Sequence, residues 1–345
     1  MQAKQKRLNS RTTIKDVASY AGVTIGTVSH VINGTASITE ETSAKVRKAI
    51  KDLNYIPNAS AKSLRSKKNL RIGMMIPNLN NNFHSKITST FVDRAYDEGY
   101  SVQIYGYEYS LKREMQELRR LEGENIGTLI IINGTGDEEE LERLTQQGIA
   151  VILADREAPG LKVSSVKYDN YEIMDEIVTL FKKKGYQRIG FFSEPIELAN
   201  LQDRFEGYKN ALEKNGYEFN DKYTYIKESL QLDNLKNGYL YMKEILSTTR
   251  KENLPDAWIV SSDLLGIGML RAIKEMGYKV PQDFGIVSFD NIEVSGYINP
   301  RLTTVEQDQV LMGETLMKVV KQVNNNRDNL KNIVLKQRLI IRETV

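Results

Sequence analysis

The chain of 345 residues contains no cysteine. That excludes a disulfide framework, a thiolate metal site and a cysteine nucleophile. Histidine is nearly as scarce: His30 and His84 are the whole supply, and no cluster of side chains has metal-ligand spacing. There is no P-loop lysine motif, and neither Gly134-Thr135-Gly136 nor Gly266-Ile267-Gly268 completes a dinucleotide fingerprint after a first strand. No uninterrupted apolar run approaches bilayer length, and the start, MQAKQKRLNSR, has no apolar stretch of signal type. The expectation is a cytoplasmic protein, not an enzyme, with no metal and no cofactor.

The charge that is present is unevenly placed. Net charge is +3, yet residues 1–71 hold fourteen Lys/Arg against four acids, so this segment is +10 and the remainder −7. A basic head on a mildly acidic body points to a polyanion partner for the head. The plainer reading is a solvated basic surface. It loses ground because the charge coincides with a patterned stretch at 13–33.

That stretch, TIKDVASYAGVTIGTVSHVIN, reads as two short helices joined by a tight turn. Thr13 and Asp16 form a capping-box start. Ile14, Val17, Ala18 and Ala21 follow at helical spacing, and Gly22 sits where the first helix must turn. Thr24 caps the second helix, whose buried side is Val28, Val31 and Ile32. Ile25, Gly26, Thr27, Ser29, His30 and Asn33 then face away. An outer face that is short, polar and free of acids suits insertion into a DNA major groove; an ordinary helical hairpin is the alternative. Thr39 caps a third helix with Val46, Ala49, Ile50 and Leu53 on its core face.

Pro57 ends that helix's run, and Asn58 opens a segment of about two helical turns. A helix that short is marginal alone in water. From residue 70 strands and helices alternate. Strands are predicted at 70–76, 101–107, 128–132, 150–154, 165–168, 188–193, 223–226, 257–261 and 285–289, with helical runs between them. A helix over 307–324 and a last strand over 333–341 follow. Such alternation argues parallel sheets with helices on both faces, repeated over about 70–165 and 165–300. Two lobes of this kind make a cleft where strand carboxyl ends meet. The fold class is therefore an all-α helix-turn-helix headpiece plus an α/β body of two doubly wound parallel-sheet lobes. Expected boundaries are 1–57 for the headpiece, 58–69 for a hinge and 70–345 for the body. Lobe one is expected at 70–165 plus 307–332, and lobe two at 166–305 plus 333–345.

With TIKDVASYAGVTIGTVSHVIN, LNYIPNASAKSL, SFDN at 288–291 and INPRLTTVEQD at 298–308 in place, the chain resembles a repressor of the lactose/galactose repressor (LacI/GalR) family from about residue 12 to 342. The body also resembles periplasmic sugar-binding proteins. The resemblance implies that Ile25, Gly26 and His30 read bases, while Thr13, Thr24, Thr27, Ser29 and Asn33 contact the DNA backbone. His30 stands where the family commonly has Arg, so the base it prefers stays open. The resemblance also implies a hinge helix formed on DNA by 58–65, with Asn58, Ala61 and Leu64 as contacts and Leu64 wedged between base pairs.

Polar residues at strand ends mark the cleft: Asp155 after 150–154, Asp290 after 285–289, and Asp263, expected to cap the next helix. By family position Asp155, Arg204 and Asp290 match effector contacts, with Ser262 and Gln307 beside them; Asn78 and Phe83 belong to a loop lining the pocket. Carboxylates and one Arg suit the hydroxyls of a neutral sugar. Ser262 replaces a commoner Asn. The resemblance thus implies a homodimeric repressor whose partners are operator DNA and a small molecule, with no membrane. Some family members take a corepressor, such as a purine, or a phosphocarrier protein instead of an inducer. A nucleotide-dependent α/β enzyme and a sugar-transport component are the rivals from other classes.

Overall fold

The computed structural model describes residues 12–55, 69–134, 138–232 and 234–345. They divide into two compact units, 1–68 and 69–345. Asn58, Ala61 and Leu64 lie outside the described residues.

In the first unit the helices are α1 (Ile14–Ala21), α2 (Ile25–Asn33) and α3 (Glu40–Asp52). Thr13 Oγ1 accepts the Asp16 N–H at 3.4 Å while the Asp16 carboxylate accepts the Thr13 N–H at 2.8 Å, completing the capping box. Gly22 turns the chain with φ +66°, a left-handed backbone that glycine adopts without steric penalty. Thr24 and Thr39 cap α2 and α3 by accepting the N–H groups of Thr27 and Thr42. Val17, Ala18, Val28, Val46 and Ala49 form the core, with Ile14, Val31, Ile32 and Leu53 packed around it.

The second unit contains two six-stranded sheets. The first is built from β1 (Arg71–Ile76), β2 (Ser101–Gly106), β3 (Thr128–Ile132), β4 (Ala150–Ala154), β5 (Ser164–Tyr168) and β11 (Asn332–Leu335), in the order β11-β5-β4-β3-β1-β2, all parallel. The second is built from β6 (Ile189–Ser193), β7 (Thr224–Ile226), β8 (Ala257–Val260), β9 (Gly285–Asp290), β10 (Thr303–Glu306) and β12 (Arg338–Ile340), in the order β12-β10-β9-β8-β6-β7. Here β12 is antiparallel to β10, so this lobe is not purely parallel.

Side chains alternate between the faces of each strand. In β1, Ile72, Met74 and Ile76 pack with α4 (Asn82–Asp97) and α11 (Gln309–Asn325), while Met75 joins the core under α5 (Leu111–Leu121) and α6 (Glu138–Gln146). In the second sheet, Trp258 and Val260 pack under α9 (Asn234–Thr248) and α10 (Asp263–Glu275); Ala257 and Ile259 pack under α7 (Ile173–Lys184) and α8 (Ala199–Lys214).

The expected lobe boundaries need correction. Val166–Tyr168 belong to the first lobe, because β5 pairs with β4 on one side and β11 on the other. The single strand expected at 333–341 is two strands in different sheets, so Ile333–Leu335 also belong to the first lobe. The chain therefore passes between lobes three times: at 169–172, at 307–308 and at 336–337. Among the described residues no helix is long and apolar enough to cross a membrane.

Candidate functional site

The body's cleft collects polar residues at strand carboxyl ends. Asn133 follows β3, Asp155 follows β4, Glu194 follows β6, Asp290 ends β9 and Gln307 follows β10. They surround about 460 Å³ of empty space, mouth included, together with Phe83 and His84 of α4 and Arg204 of α8. Three of these turn out of their strands with left-handed backbone: Asn133 (φ +56°), Asp155 (φ +59°) and Asp290 (φ +106°). Non-glycine residues rarely adopt that region, and such strain concentrates where a side chain must be aimed.

Asp155 is 2% exposed. Its Oδ2 accepts a hydrogen bond from Asn200 Nδ2 of α8 at 2.7 Å, which ties the first lobe to the second. Its Oδ1 has no partner, nor do Asn133 Oδ1 and Gln307 Nε2. Burial pushes the Asp155 carboxyl up to about 6, against the opposing pull of Arg204 and Asn200. Asp290 is pushed well above the usual carboxylate range by burial and then by the nearby charge of Asp263. Burial also raises Glu194, whose carboxylate accepts from Ser261 Oγ and, at 2.9 Å, from Asn234 Nδ2.

Arg204 is 3% exposed and is the cation of this site. Its Nε donates to Asn170 Oδ1 at 2.8 Å, one terminal nitrogen to the Ser261 carbonyl at 2.7 Å, and the other to Gln307 Oε1 at 2.9 Å. The guanidinium also lies 4.1 Å over the Phe289 ring. Asn170 and Gln307 stand in two of the three inter-lobe crossings, and Gln337 of the third donates to Asn170 Oδ1 at 3.4 Å. Arg204 therefore staples the inter-lobe crossings. Two of its five N–H donors remain for a ligand. Among the described residues no ion pair joins it to Asp155, Glu194 or Asp290.

His84 is buried, and its Nε2 is 3.2 Å from Asn133 Nδ2, which can only donate. Burial holds the imidazole down at about 4, so the ring is neutral near pH 7. No group of three or more described acidic or imidazole side chains is placed to hold a metal.

Of the residues expected to contact the effector, Phe83, Asp155, Arg204, Ser262, Asp290 and Gln307 line this one cavity. Asn78 does not. Its Oδ1 accepts the Asn80 N–H at 2.8 Å to shape the preceding turn, and Asn81 lines the cleft instead. Asp263 is not the cap expected of it: Ser262 caps α10 by accepting the Leu265 N–H, and the Asp263 carboxylate takes the Ser288 hydroxyl and the Ile292 N–H. His84, Asn133, Glu194 and Asn200 were not anticipated. For Asn133 and Glu194 the signal was available, since each follows an apolar strand just as Asp155 does. Asn200 is recognisable only once α8 is placed across the cleft.

In the headpiece Thr13, Thr24, Ile25, Gly26, His30 and Asn33 are exposed, and Thr27 and Ser29 are half-buried. Several are already hydrogen-bonded: Thr24 to Thr27 at 2.9 Å, Asn33 Nδ2 to the Ser29 carbonyl at 2.8 Å, and His30 Nδ1 to Thr35 Oγ1 at 2.9 Å. The exposed side of α2 contains no acidic residue.

Comparison with known proteins places both units. The family of bacterial regulatory proteins, lacI family, matches residues 13–58, and the periplasmic binding protein-like domain matches 178–345. The HTH-type transcriptional regulator KdgR of Bacillus subtilis (strain 168) is 31% identical over 99% of this chain and 100% of its own. Catabolite control protein A of Staphylococcus aureus (strain Mu50 / ATCC 700699) is 30% identical over 96% of this chain and 98% of its own. Two Lac repressor structures superpose closely. One, bound to ONPG in the repressed state, has a TM-score of 0.82 and 26% identity, covering 97% of this chain and 100% of that one. The other, a dimer bound to operator and the anti-inducer ONPF, has a TM-score of 0.81 and 25% identity, covering 97% and 99%. These relatives are regulators, not enzymes. The chain belongs to the lacI family of bacterial regulatory proteins and is a DNA-binding transcriptional regulator.

Proposed function

We propose that the protein is a homodimeric repressor of carbohydrate-utilisation genes, controlled by a small sugar bound between its lobes. The observation that carries the reading is the set of buried, unpartnered polar atoms around the cavity: Asp155 Oδ1, Asn133 Oδ1 and Gln307 Nε2. Buried polar atoms are ordinarily satisfied, so two acceptors and a donor converging on one cavity suit a polyhydroxylated ligand. Phe83 offers an apolar face for a sugar ring, and Asp290, Ser262 and Arg204 offer further polar contacts.

On the DNA side, Ile25, Gly26 and His30 read bases in the major groove, and Thr13, Thr24, Thr27, Ser29 and Asn33 hold phosphates. Asn58, Ala61 and Leu64 act in the hinge. Two-fold symmetry matches an inverted-repeat operator, since one headpiece offers too little surface for a specific site. The bodies supply the dimer face, with α4 as the candidate element. Effector binding turns the lobes about the Arg204 staple, and the turn reaches DNA through the chain that leads into β1. The coupling is reciprocal: operator weakens effector by the same factor that effector weakens operator.

The test is a thermal-shift screen of sugars on the full-length protein, followed by operator titration with and without each compound that raises the melting point. A sugar that stabilises the protein and releases an inverted-repeat duplex supports the reading. An effector that binds equally well with and without operator contradicts it.

A further inference from the structure

We infer that Glu194 is a charge filter that makes the cleft reject acidic and phosphorylated sugars in favour of uncharged or aminated ones. This rests on the reading of the cleft as an effector site. Glu194 stands at the end of β6 and lines the same cavity as Asp155, at the end of β4, and Asp290, at the end of β9. Three carboxylates therefore face one guanidinium. That guanidinium offsets them only through space: its hydrogen bonds go to Asn170, the Ser261 carbonyl and Gln307, and no described ion pair links it to any of the three. Behind the cavity wall Asp263, fully buried, adds a fourth acid next to Asp290. On the other side, His84 is neutral and Lys167 is engaged by Glu157 at 2.5 Å.

Glu194 is held in place rather than free to swing out. Ser261 Oγ and Asn234 Nδ2 both donate to it, which keeps the carboxylate beside the cavity. Unpartnered Asp155 Oδ1 adds acceptor capacity on the opposite lobe. A neutral polyol satisfies such acceptors with hydroxyl donors, and an ammonium adds charge complementarity. A carboxylate or phosphate entering this cleft meets more acidic groups than cations, and the buried surroundings strengthen that repulsion.

The experiment uses the full-length protein and its Glu194→Gln variant. Each is melted with neutral hexoses, pentoses and disaccharides and with their amino, uronic acid and phosphate-ester counterparts, and apparent affinities are read from the concentration dependence of the melting point. In the wild type the neutral or amino form of a binding sugar is expected to bind at least 100-fold more tightly than its acidic form. In Glu194→Gln that ratio is expected to shrink tenfold or more, with the ligand-free melt reporting that the variant is folded. An acidic form that binds better than its neutral parent overturns the inference, as does an unchanged ratio in the variant; both leave the effector reading intact. If no compound shifts either protein, the effector reading itself fails and the inference falls with it.

Discussion

Asn200 Nδ2 donates to Asp155 Oδ2 at 2.7 Å, joining the start of α8 in the second lobe to the end of β4 in the first. Both residues are buried, and the acceptor is a carboxylate, which makes this one of the stronger classes of protein hydrogen bond. Asn200→Ala removes it and leaves Asp155 with two unpartnered oxygens. The ligand-free variant is expected to open, with a larger radius of gyration by small-angle scattering and a melting point a few degrees lower. An unchanged scattering curve would show that other contacts hold the lobes together.

Asp155 itself gives the body a pH dependence whose sign follows from its burial. Its carboxyl is raised from 3.8 to about 6. Stability from holding that proton is therefore complete below the ordinary value and is lost as pH rises through 6. Asp155→Asn removes the burden of a buried charge while keeping an acceptor for Asn200. The variant and wild type are expected to melt together below pH 3.8, to diverge as pH rises from there to about 6, and to stay apart above it. The variant then becomes the more stable by on the order of 3 kcal/mol, from about two pKa units at about 1.4 kcal/mol each. Thermal unfolding at acidic and alkaline pH checks this; a wild type that outlasts the variant at alkaline pH would contradict it.

Arg204 binds residues from two crossings directly and the third through Asn170. Arg204→Lys retains the charge but offers no planar fork to reach three acceptors. The melting point is expected to fall, and the operator response to effector to disappear while operator binding itself survives. Fluorescence anisotropy of a labelled duplex, with and without effector, reads the second effect. Arg204→Ala strands a buried set of acceptors and is expected to be costlier, at about 1–3 kcal/mol for each acceptor left unsatisfied.

Much of this was legible in the sequence, for identifiable reasons. The headpiece was readable because its rules are local: a capping box, a glycine turn and a 3.6-residue apolar period all act within a few residues. The same holds for the strands, whose apolar runs end at polar residues. What escaped depended on the order in which strands assemble. Nothing local distinguishes Val334 in the first sheet from Leu339 in the second, since two residues at 336–337 are enough to cross between lobes. Asp263 was expected to be the cap and Ser262 is, because both residue types cap helices and only packing decides which one turns inward.

Helices α9 and α10 touch through glycine. A Cβ on Gly268 would lie 2.2 Å from the Leu235 carbonyl oxygen and 2.7 Å from the Tyr239 nitrogen. Backbone cannot retreat as a side-chain tip can, so Gly268→Ala must part the helices. A loss of about 1–3 kcal/mol, the usual range for overpacking, is expected in chemical denaturation. An unchanged midpoint would mean that the pair is loosely seated.

In the headpiece, the bond between His30 Nδ1 and Thr35 Oγ1 at 2.9 Å leaves Nε2 as the ring atom free to meet DNA. Thr35→Val is expected to let the ring rotate. Selection from a randomised inverted-repeat library should then yield weaker base preference at one position of each half-site, with the other positions unchanged. Identical logos from wild type and variant would show that Thr35 does not orient the ring.

The three crossings also bear on synthesis. Both β11 and β12 are edge strands, and Val345 packs into the second lobe's core. Residues 332–345 therefore finish both lobes at once, although most of the first lobe has left the ribosome long before. A nascent chain stopped between 309 and 331 leaves β5 and β10, each otherwise paired on both sides, as open sheet edges and templates for unwanted pairing. Premature termination is thus expected to give a substrate for proteases or aggregation, not a half-working sensor.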